Sequence, residues 1–208
     1  MELKTLSNLW IPASVTSRKL ILVLHGRGDS YAGFQGLPEA LALSDVNYLL
    51  VNAPDPYFGG YSWYDLPPDQ LPGIVRSRQL LDRMFAELIQ SGFQAEDVVL
   101  FGFSQGCLMA LEWGGRTSLS LAGYVGISGY SYDEVQLAQE LTPRAKEAKW
   151  LITHGTKDEI LPYERTAQQV EYLQSKGLPL EFHAFQKSHT IDDLEELPLL
   201  RQWLKTVF

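Results

Sequence analysis

The sequence has little of what several functional classes require. It contains one cysteine, Cys107, which excludes an intrachain disulfide framework and a cysteine-rich zinc site. Its 17 basic residues face 25 acidic ones and form no cluster, so we expect no nucleic-acid partner. No stretch approaches the roughly 18 apolar residues of a membrane-spanning helix. The start of the chain, Met1-Glu2-Leu3-Lys4, lacks the pattern of a signal peptide, and we therefore expect a cytoplasmic location.

The composition that remains is that of a packed globular protein. The chain has 208 residues, of which 45% are hydrophobic and 20% charged, enough for one domain and too few for two. We therefore expect residues 1–208 to form a single domain. The stretch 54–73 is rich in proline and glycine but also in aromatic residues, which flexible linkers rarely contain. It is predicted to be an ordered loop.

Buried strands and amphipathic helices alternate along the chain. Short apolar runs without polar alternation predict strands at 19–24, 48–51, 98–101, 121–128, 150–153 and, nearer an edge, 180–185. Helical spacing of apolar side chains predicts helices at 74–89, 107–113, 162–176 and 194–207. Leu9–Ile11 is a candidate for an antiparallel edge strand. The alternation predicts an α/β fold, a mostly parallel sheet with helices on both faces and a site at the carboxyl ends of its strands.

A candidate nucleophile lies at one of those strand ends. Gly102-Phe103-Ser104-Gln105-Gly106 matches the pattern G-x-S-x-G directly between a predicted strand and a predicted helix. A sharp turn there exposes the Ser104 hydroxyl at a helix N-terminus, and the flanking glycines leave room for the close approach of strand and helix. The sequence therefore predicts nucleophilic catalysis by Ser104.

A serine nucleophile needs a base, and three histidines follow Ser104 in the sequence. His183 lies inside the last predicted strand, where it alternates with apolar residues. His154 precedes a glycine turn and is predicted to brace that loop by hydrogen bonding. His189 alone lies on a loop at the active end of the sheet and after the acid, so it is the predicted base.

The acid that orients the base is expected on a loop between the serine and the histidine. Asp158 follows the predicted strand 150–153, and Gly155 permits a tight turn before it. Asp133 follows the preceding strand and is the competing candidate. The turn and the helix that follows it favour Asp158.

These residues, taken in order, resemble one known family. The resemblance is to the phospholipase/carboxylesterase family, which includes acyl-protein thioesterases and small bacterial carboxylesterases. It covers nearly the whole chain and rests on Leu24-His25-Gly26-Arg27-Gly28-Asp29, Asn52-Ala53-Pro54, Ser62-Trp63-Tyr64-Asp65, Gly102-Phe103-Ser104-Gln105-Gly106, His154-Gly155-Thr156-Lys157-Asp158 and His189. It implies an α/β-hydrolase fold and hydrolysis of carboxylic esters or thioesters without a cofactor or metal.

The resemblance also implies roles for single residues. It places a catalytic triad on Ser104, Asp158 and His189, in agreement with the order of the chain. It places an oxyanion hole on the backbone N–H groups of Arg27 and Gln105. Arg27 replaces the leucine usual at its position, so a cation is expected at the mouth of the site. The glycine-rich approach to the histidine is replaced by Gln186-Lys187-Ser188.

The aromatic stretch suggests where a substrate binds. Pockets are lined by apolar and aromatic groups, and loops concentrate function. We therefore predict that Trp63 lines the acyl pocket, against the alternative that it packs beneath the loop. Substrates are expected to be small molecules or acylated molecules with short to medium acyl groups. Both a monomer and a homodimer remain open.

Three functions are compatible with these residues. The first is a serine carboxylesterase or thioesterase that works through an acyl-enzyme. The second is a lysophospholipase, peptidase or depolymerase that uses the same triad, because one fold hosts all of these chemistries. The third, a binding module without catalysis, is disfavoured because the sequence keeps Ser104, its flanking glycines and its partners.

Overall fold

A central sheet of seven strands organises the chain. The computed structural model describes residues 3–208. The strands of the sheet are β1 Asn8–Ile11, β2 Leu20–Leu24, β3 Asn47–Val51, β6 Val98–Phe103, β7 Gly123–Ile127, β8 Trp150–Gly155 and β9 Leu180–Phe185. They lie side by side in the order β1-β3-β2-β6-β7-β8-β9. In this sheet only β1 is antiparallel to its neighbour, and the other pairs are parallel.

Helices cover the sheet on both faces. They are α1 Leu37–Leu41, α2 Gln70–Gln90, α3 Gln105–Gly114, α4 Glu134–Glu140, α5 Pro143–Glu147, α6 Tyr163–Ser175 and α7 Glu196–Val207. Buried side chains of α2, α3 and α6 pack in one hydrophobic layer, and those of α1 and α7 pack in the other. In β2, Leu20, Leu22 and Leu24 belong to the first layer, whereas Ile21 and Val23 belong to the second. A strand buried on both faces has no polar positions, which explains its uninterrupted apolar run.

The predicted fold class is confirmed, and so are its strands. Each of the six predicted runs contains a strand, with ends that differ by at most a few residues. The antiparallel edge strand at Leu9–Ile11 is also present, extended to Asn8. β9 forms the opposite edge, which explains why its side chains are only partly buried.

The stretch 54–73 is ordered, but it is not a loop throughout. It folds into a hairpin of β4 (Asp55–Tyr57) and β5 (Gly60–Ser62), which pair with each other outside the central sheet, and Tyr61 of β5 also forms an isolated antiparallel bridge with Asp29. At the tip, Phe58 and Gly59 both have positive φ, 43° and 89°, as a two-residue hairpin turn requires. Helix α2 then begins at Gln70 instead of 74.

The early start of α2 is compatible with Pro72. Pro72 lies in the first turn of the helix, where a backbone N–H has no intrahelical partner and its absence costs nothing. The short helices α1, α4 and α5 were not predicted, because five to seven residues are too few to show a period. Among the helices of residues 3–208, none is long and apolar enough to cross a membrane.

Candidate active site

The turn between β6 and α3 holds Ser104 in a conformation that few residues adopt. Its φ is 54° and its ψ is -113°. Backbone strain of this kind costs about 1–3 kcal/mol and is kept only where the surrounding structure enforces it. Here the Ser104 N–H donates to the carbonyl of Ile127 on the neighbouring strand, at 2.8 Å. The strain presents the hydroxyl at the N-terminus of α3.

The two glycines of the motif are required by close packing. A Cβ atom on Gly102 would overlap the carbonyl oxygen of Gly106. A Cβ atom on Gly106 would overlap the carbonyl oxygen of Leu24, at the end of β2. The turn at Ser104 therefore lies directly against the central strands, which fixes its position relative to the neighbouring loops.

Three side chains form a continuous hydrogen-bonded chain at this end of the sheet. The Ser104 hydroxyl oxygen lies 2.9 Å from His189 Nε2. His189 Nδ1 lies 2.7 Å from Asp158 Oδ2. The Asp158 side chain is completely buried, whereas His189 remains partly exposed. The structure thus brings together the three residues that chain order selected.

The Asp158 carboxylate is held in its charged form. Burial alone would raise its pKa, but hydrogen bonds outweigh burial and the net pKa is lowered. The backbone N–H groups of Leu161 and Ile160 each donate to Oδ1 at 2.9 Å. His189 donates to Oδ2. Because Oδ1 is occupied by the backbone, Oδ2 has a fixed direction and orients the imidazole ring of His189.

The competing candidates have other roles in the structure. His154 is fully buried, and its Nε2 lies 2.8 Å from the carbonyl oxygen of Leu161, as expected for a loop brace. His183 lies in β9 and contacts Glu181 at 2.8 Å. Asp133 caps helix α4, accepting hydrogen bonds from the backbone of the first turn. None of the three is hydrogen-bonded to Ser104, His189 or Asp158 within residues 3–208, although His154 Nε2 lies 3.6 Å from Asp158 Oδ2.

The loop after β2 forms a turn against Ser104. Asp29 N–H donates to Gly26 O at 3.3 Å, and Gly28 adopts a φ of 83°, which favours glycine. A Cβ atom on Gly26 would stand 3.2 Å from the Ser104 Cβ, so the turn leaves no gap. Arg27 lies within this turn. Its guanidinium points toward the hairpin, 5.0 Å from the centre of the Tyr57 ring.

Several hydrogen bonds fix this turn from outside. The hairpin exchanges bonds with it: Gly28 N–H donates to Tyr61 O, and Tyr61 N–H donates to Asp29 O, both at 2.8 Å. The His25 ring is buried, which lowers its pKa and keeps it neutral. Its Nδ1 lies 2.6 Å from Gly26 O, and its Nε2 accepts from Ala53 N–H at 3.0 Å. The backbone of residues 25–29 is therefore rigidly placed.

Trp63 is part of this bracing, and its prediction as a wall of the acyl pocket is corrected. Its side chain is 0% exposed and belongs to the hydrophobic core. The indole Nε1 donates to the His25 carbonyl at 2.9 Å. A side chain with no accessible surface offers nothing for a substrate to contact. The alternative of packing beneath the loop describes Trp63 correctly.

The Gln105 side chain has a role that the sequence did not suggest. Its Oε1 accepts from Trp63 N–H at 2.9 Å, and its Nε2 donates to Tyr64 O at 2.9 Å. It thereby joins the segment after the hairpin to the start of α3. Its backbone N–H is the first of that helix, where intrahelical acceptors are absent.

A cavity of about 360 Å³ opens beside His189. It is lined mainly by apolar side chains from the segment around α1 and from the segment before α7, with two carboxylates; the principal ones are Phe34, Leu37, Phe103, Ile191, Asp29 and Asp193. The Phe103 ring lies 5.1 Å from the His189 ring, centre to centre. The sequence placed the pocket in the aromatic stretch, whereas this cavity lies on the opposite layer of the sheet.

Other reactive groups nearby are structural. Cys107 is fully buried, and burial raises the pKa of its thiol to about 12. It is a packed thiol in the turn of helix beside Ser104. Over residues 3–208, the histidine, cysteine and acidic side chains form no group of three or more arranged to hold a metal ion.

Comparison with known proteins gives this geometry a family. The chain is 28% identical to "Acyl-protein thioesterase 1" of Yarrowia lipolytica over 215 residues, which cover 94% of each chain. It is 27% identical to a "Probable carboxylesterase SOBER1-like" of Arabidopsis thaliana, over 91% of this chain and 79% of that one. Among solved structures, esterase PE8 superposes with a TM-score of 0.85 at 27% identity, over 98% and 99% of the two chains.

The family assignment follows from a match over almost the whole length. The family model described as phospholipase/carboxylesterase matches residues 11–208. A carboxylesterase from Bacillus cereus, at 18% identity, shares the fold with a TM-score of 0.82. The chain belongs to the phospholipase/carboxylesterase family of α/β-hydrolases.

Proposed function

We propose that this chain hydrolyses carboxylic esters or thioesters with Ser104 as the nucleophile. The hydrogen-bonded chain from Ser104 through His189 to Asp158 carries the proposal. Serine is a weak nucleophile unless a base takes its proton, and a base works best when a third group orients it. Relatives named as thioesterases and carboxylesterases agree with this chemistry.

In the acylation step, the Ser104 oxygen attacks the carbonyl carbon of the substrate while His189 Nε2 takes the hydroxyl proton. The buried Asp158 carboxylate stabilises the positive ring that results. His189 then gives the same proton to the leaving oxygen or sulfur as the bond to carbon breaks. The products of this step are an alcohol or thiol and an ester of Ser104.

In the deacylation step, water replaces the leaving group. His189 takes a proton from the water, which attacks the acyl carbon, and then returns a proton to the Ser104 oxygen. The acid is released and the enzyme regains its starting state. No cofactor enters either step.

The negative oxygen that forms in both steps needs fixed donors. We assign these to the backbone N–H groups of Arg27 and Gln105. Hydrogen bonds within residues 3–208 use neither N–H, although the segments on both sides of each are firmly bonded. Donors that are already in place cost no reorganisation during the reaction, and removing one typically slows turnover about 10²–10³-fold.

The cavity beside His189 is the proposed site for an apolar group of the substrate. Its walls combine apolar side chains with polar groups, and the apolar part offers a site for an alkyl group of short to medium length. The polar groups are Asp29, His189, Thr190 and Asp193. Ile191 lies on the wall. Replacing it by tryptophan would fill part of the 360 Å³ without touching the proton-transfer chain.

One substrate panel tests the proposed function. The purified chain is first treated with a fluorophosphonate probe, which labels an activated serine. Esters of p-nitrophenol with acetyl, butyryl and octanoyl groups are then compared with the corresponding acyl-thioesters and with a lysophospholipid. We expect labelling of Ser104 and turnover of esters or thioesters. Ile191→Trp should reduce turnover of the longest substrates most. Absence of labelling and of turnover across the panel would reject the proposal.

A further inference from the structure

The turn that carries His189 contains a buried ion pair. Lys187 stands two residues before His189. Its side chain is only 2% exposed, and that of its partner Glu196 is 0% exposed. Lysine and glutamate are rarely buried this completely unless they are paired. Such a pair two residues from the proposed base calls for a physical account.

Every hydrogen-bond donor of the Lys187 ammonium group has an acceptor. Lys187 Nζ lies 2.6 Å and 2.7 Å from the two carboxylate oxygens of Glu196. Its third hydrogen bond goes to the carbonyl oxygen of Thr190, at 2.8 Å. An ammonium group has three donors, and all three are used. Glu196 Oε2 also accepts from the backbone N–H of Asp192, at 2.8 Å.

These bonds close a short loop that contains His189. Lys187 precedes His189 by two residues and Thr190 follows it by one, so the bond between the ammonium and the Thr190 carbonyl joins the two ends of a four-residue segment. Glu196 is the first residue of helix α7, which makes the helix the anchor of this loop.

The same residue joins the base to the loop of the acid. The Lys187 carbonyl accepts from Lys157 N–H at 3.1 Å, next to Asp158. Gly155 packs against that carbonyl so closely that a Cβ atom would overlap it. Lys187 therefore bonds through its side chain to the turn of His189 and through its backbone to the turn of Asp158.

Stability alone is a poor explanation for the pair. Desolvation of two charges often costs as much as their attraction returns, and apolar replacements of buried pairs are commonly neutral or stabilising. Burial lowers the pKa of Lys187 while Glu196 opposes that shift. What a buried pair supplies is one defined arrangement, because moving either charge leaves the other unpaired.

We propose that Lys187 and Glu196 are positioning residues for His189, holding its ring in line between Ser104 and Asp158. The inference rests on the proposed function. It predicts that removing both charges preserves the fold but lowers turnover, since displacement of a catalytic group by about 1 Å costs on the order of 10²-fold.

The test is the double variant Lys187→Met/Glu196→Leu, which removes both charges and keeps apolar volume. We expect an unfolding midpoint close to that of the wild type, a kcat lower by about 10- to 100-fold and an unchanged KM. The rate of labelling by a fluorophosphonate should fall by a similar factor. The far-downfield proton resonance of the His189 Nδ1–H, which reports its bond to Asp158, should weaken or shift.

The matched control is a second buried ion pair, which lies at the C-terminal end of α3, opposite to the end that carries Ser104. Arg116 contacts Glu112 at 2.7 Å, with side chains 11% and 3% exposed. Arg116 also pairs with Glu140, whose side chain is 41% exposed and can be solvated when Arg116 is replaced. The double variant Arg116→Met/Glu112→Leu should keep its kcat, whatever it does to stability. Glu196→Gln, which preserves the shape of the side chain, is measured alongside. If the Lys187/Glu196 double variant does not fold, the kcat of Glu196→Gln decides instead.

The outcomes distinguish failure of the proposed function from failure of the positioning role. A wild type that hydrolyses nothing in the panel refutes the proposed function. With an active wild type, a folded double variant that loses less than about threefold in kcat refutes the positioning role alone. So does a loss of kcat with an unchanged Nδ1–H resonance, since His189 would then still be in place.

Discussion

Replacing Trp63 separates support of the backbone turn at residues 25–29 from direct contact with substrate. Trp63→Ala empties a site that is 0% exposed, and truncations of this kind cost about 3–5 kcal/mol. For a chain of this size, that loss lowers the melting temperature by about 6–20 °C. Trp63→Phe is milder: it keeps most of the packing but leaves the His25 carbonyl without its donor, at a cost of about 1–3 kcal/mol.

Both variants should loosen the turn that carries the Arg27 N–H. Because the turn acts on every substrate alike, kcat/KM should fall by one common factor for acetyl, butyryl and octanoyl esters of p-nitrophenol. Trp113→Phe is the control. Trp113 is also buried and its Nε1 donates to Asp82 at 2.8 Å, far from the turn. It should lose stability and keep its activity.

The assay is a comparison of kcat/KM across the three esters at a temperature where each variant is folded. A loss that grows from acetyl to octanoyl would show that Trp63 contacts the acyl chain. Trp63 would then be accessible to substrate in the working enzyme.

Three other expectations follow from the site. In steady-state kinetics, Asp158→Asn and His189→Ala should each lower kcat by about 10⁴-fold or more. The kcat of His183→Gln and of Asp133→Asn should stay within about tenfold of wild type. If Asp133→Asn lost activity and Asp158→Asn kept it, the acid would be Asp133. The pKa of Asp158 is lowered in the folded state, so its charge adds stability above the unfolded pKa, and that stability is lost as pH falls through the folded value. Urea unfolding at pH 6 and at lower pH should show a larger loss for wild type than for Asp158→Asn, and equal losses would contradict the shift. Gly106→Ala should fold poorly or not at all, because its Cβ meets the Leu24 backbone, which circular dichroism would report; a well-folded variant would refute that close approach.

The sequence predicted the parts of the molecule that repeat a strong local pattern. Runs such as Leu20–Leu24 are apolar at every position because both faces of the strand are buried. The turn at Ser104 is marked by glycines that only a close approach requires. The order of residues in the sequence then selected Asp158 and His189. In the structure, His189 lies within hydrogen-bond distance of both Asp158 and Ser104.

What the sequence did not predict depends on contacts distant along the chain. The indole of Trp63 donates to the backbone of His25, 38 residues earlier, and no local pattern indicates such a bond. An aromatic residue in a proline-rich stretch is equally compatible with a pocket and with a core. Lys187 was noticed only as a departure from glycine. Its partner Glu196 resembles any acidic residue at the start of a helix until burial is known.

The most direct test of the account is the turnover of Ser104→Ala on the best ester or thioester of the panel. The change removes one oxygen and no core volume, so the variant should fold like the wild type. Without the nucleophile, kcat should fall by about 10⁴- to 10⁶-fold, and the fluorophosphonate label should disappear. A folded variant that keeps a kcat within about tenfold of wild type would show that another residue attacks the substrate and would contradict nucleophilic catalysis by Ser104.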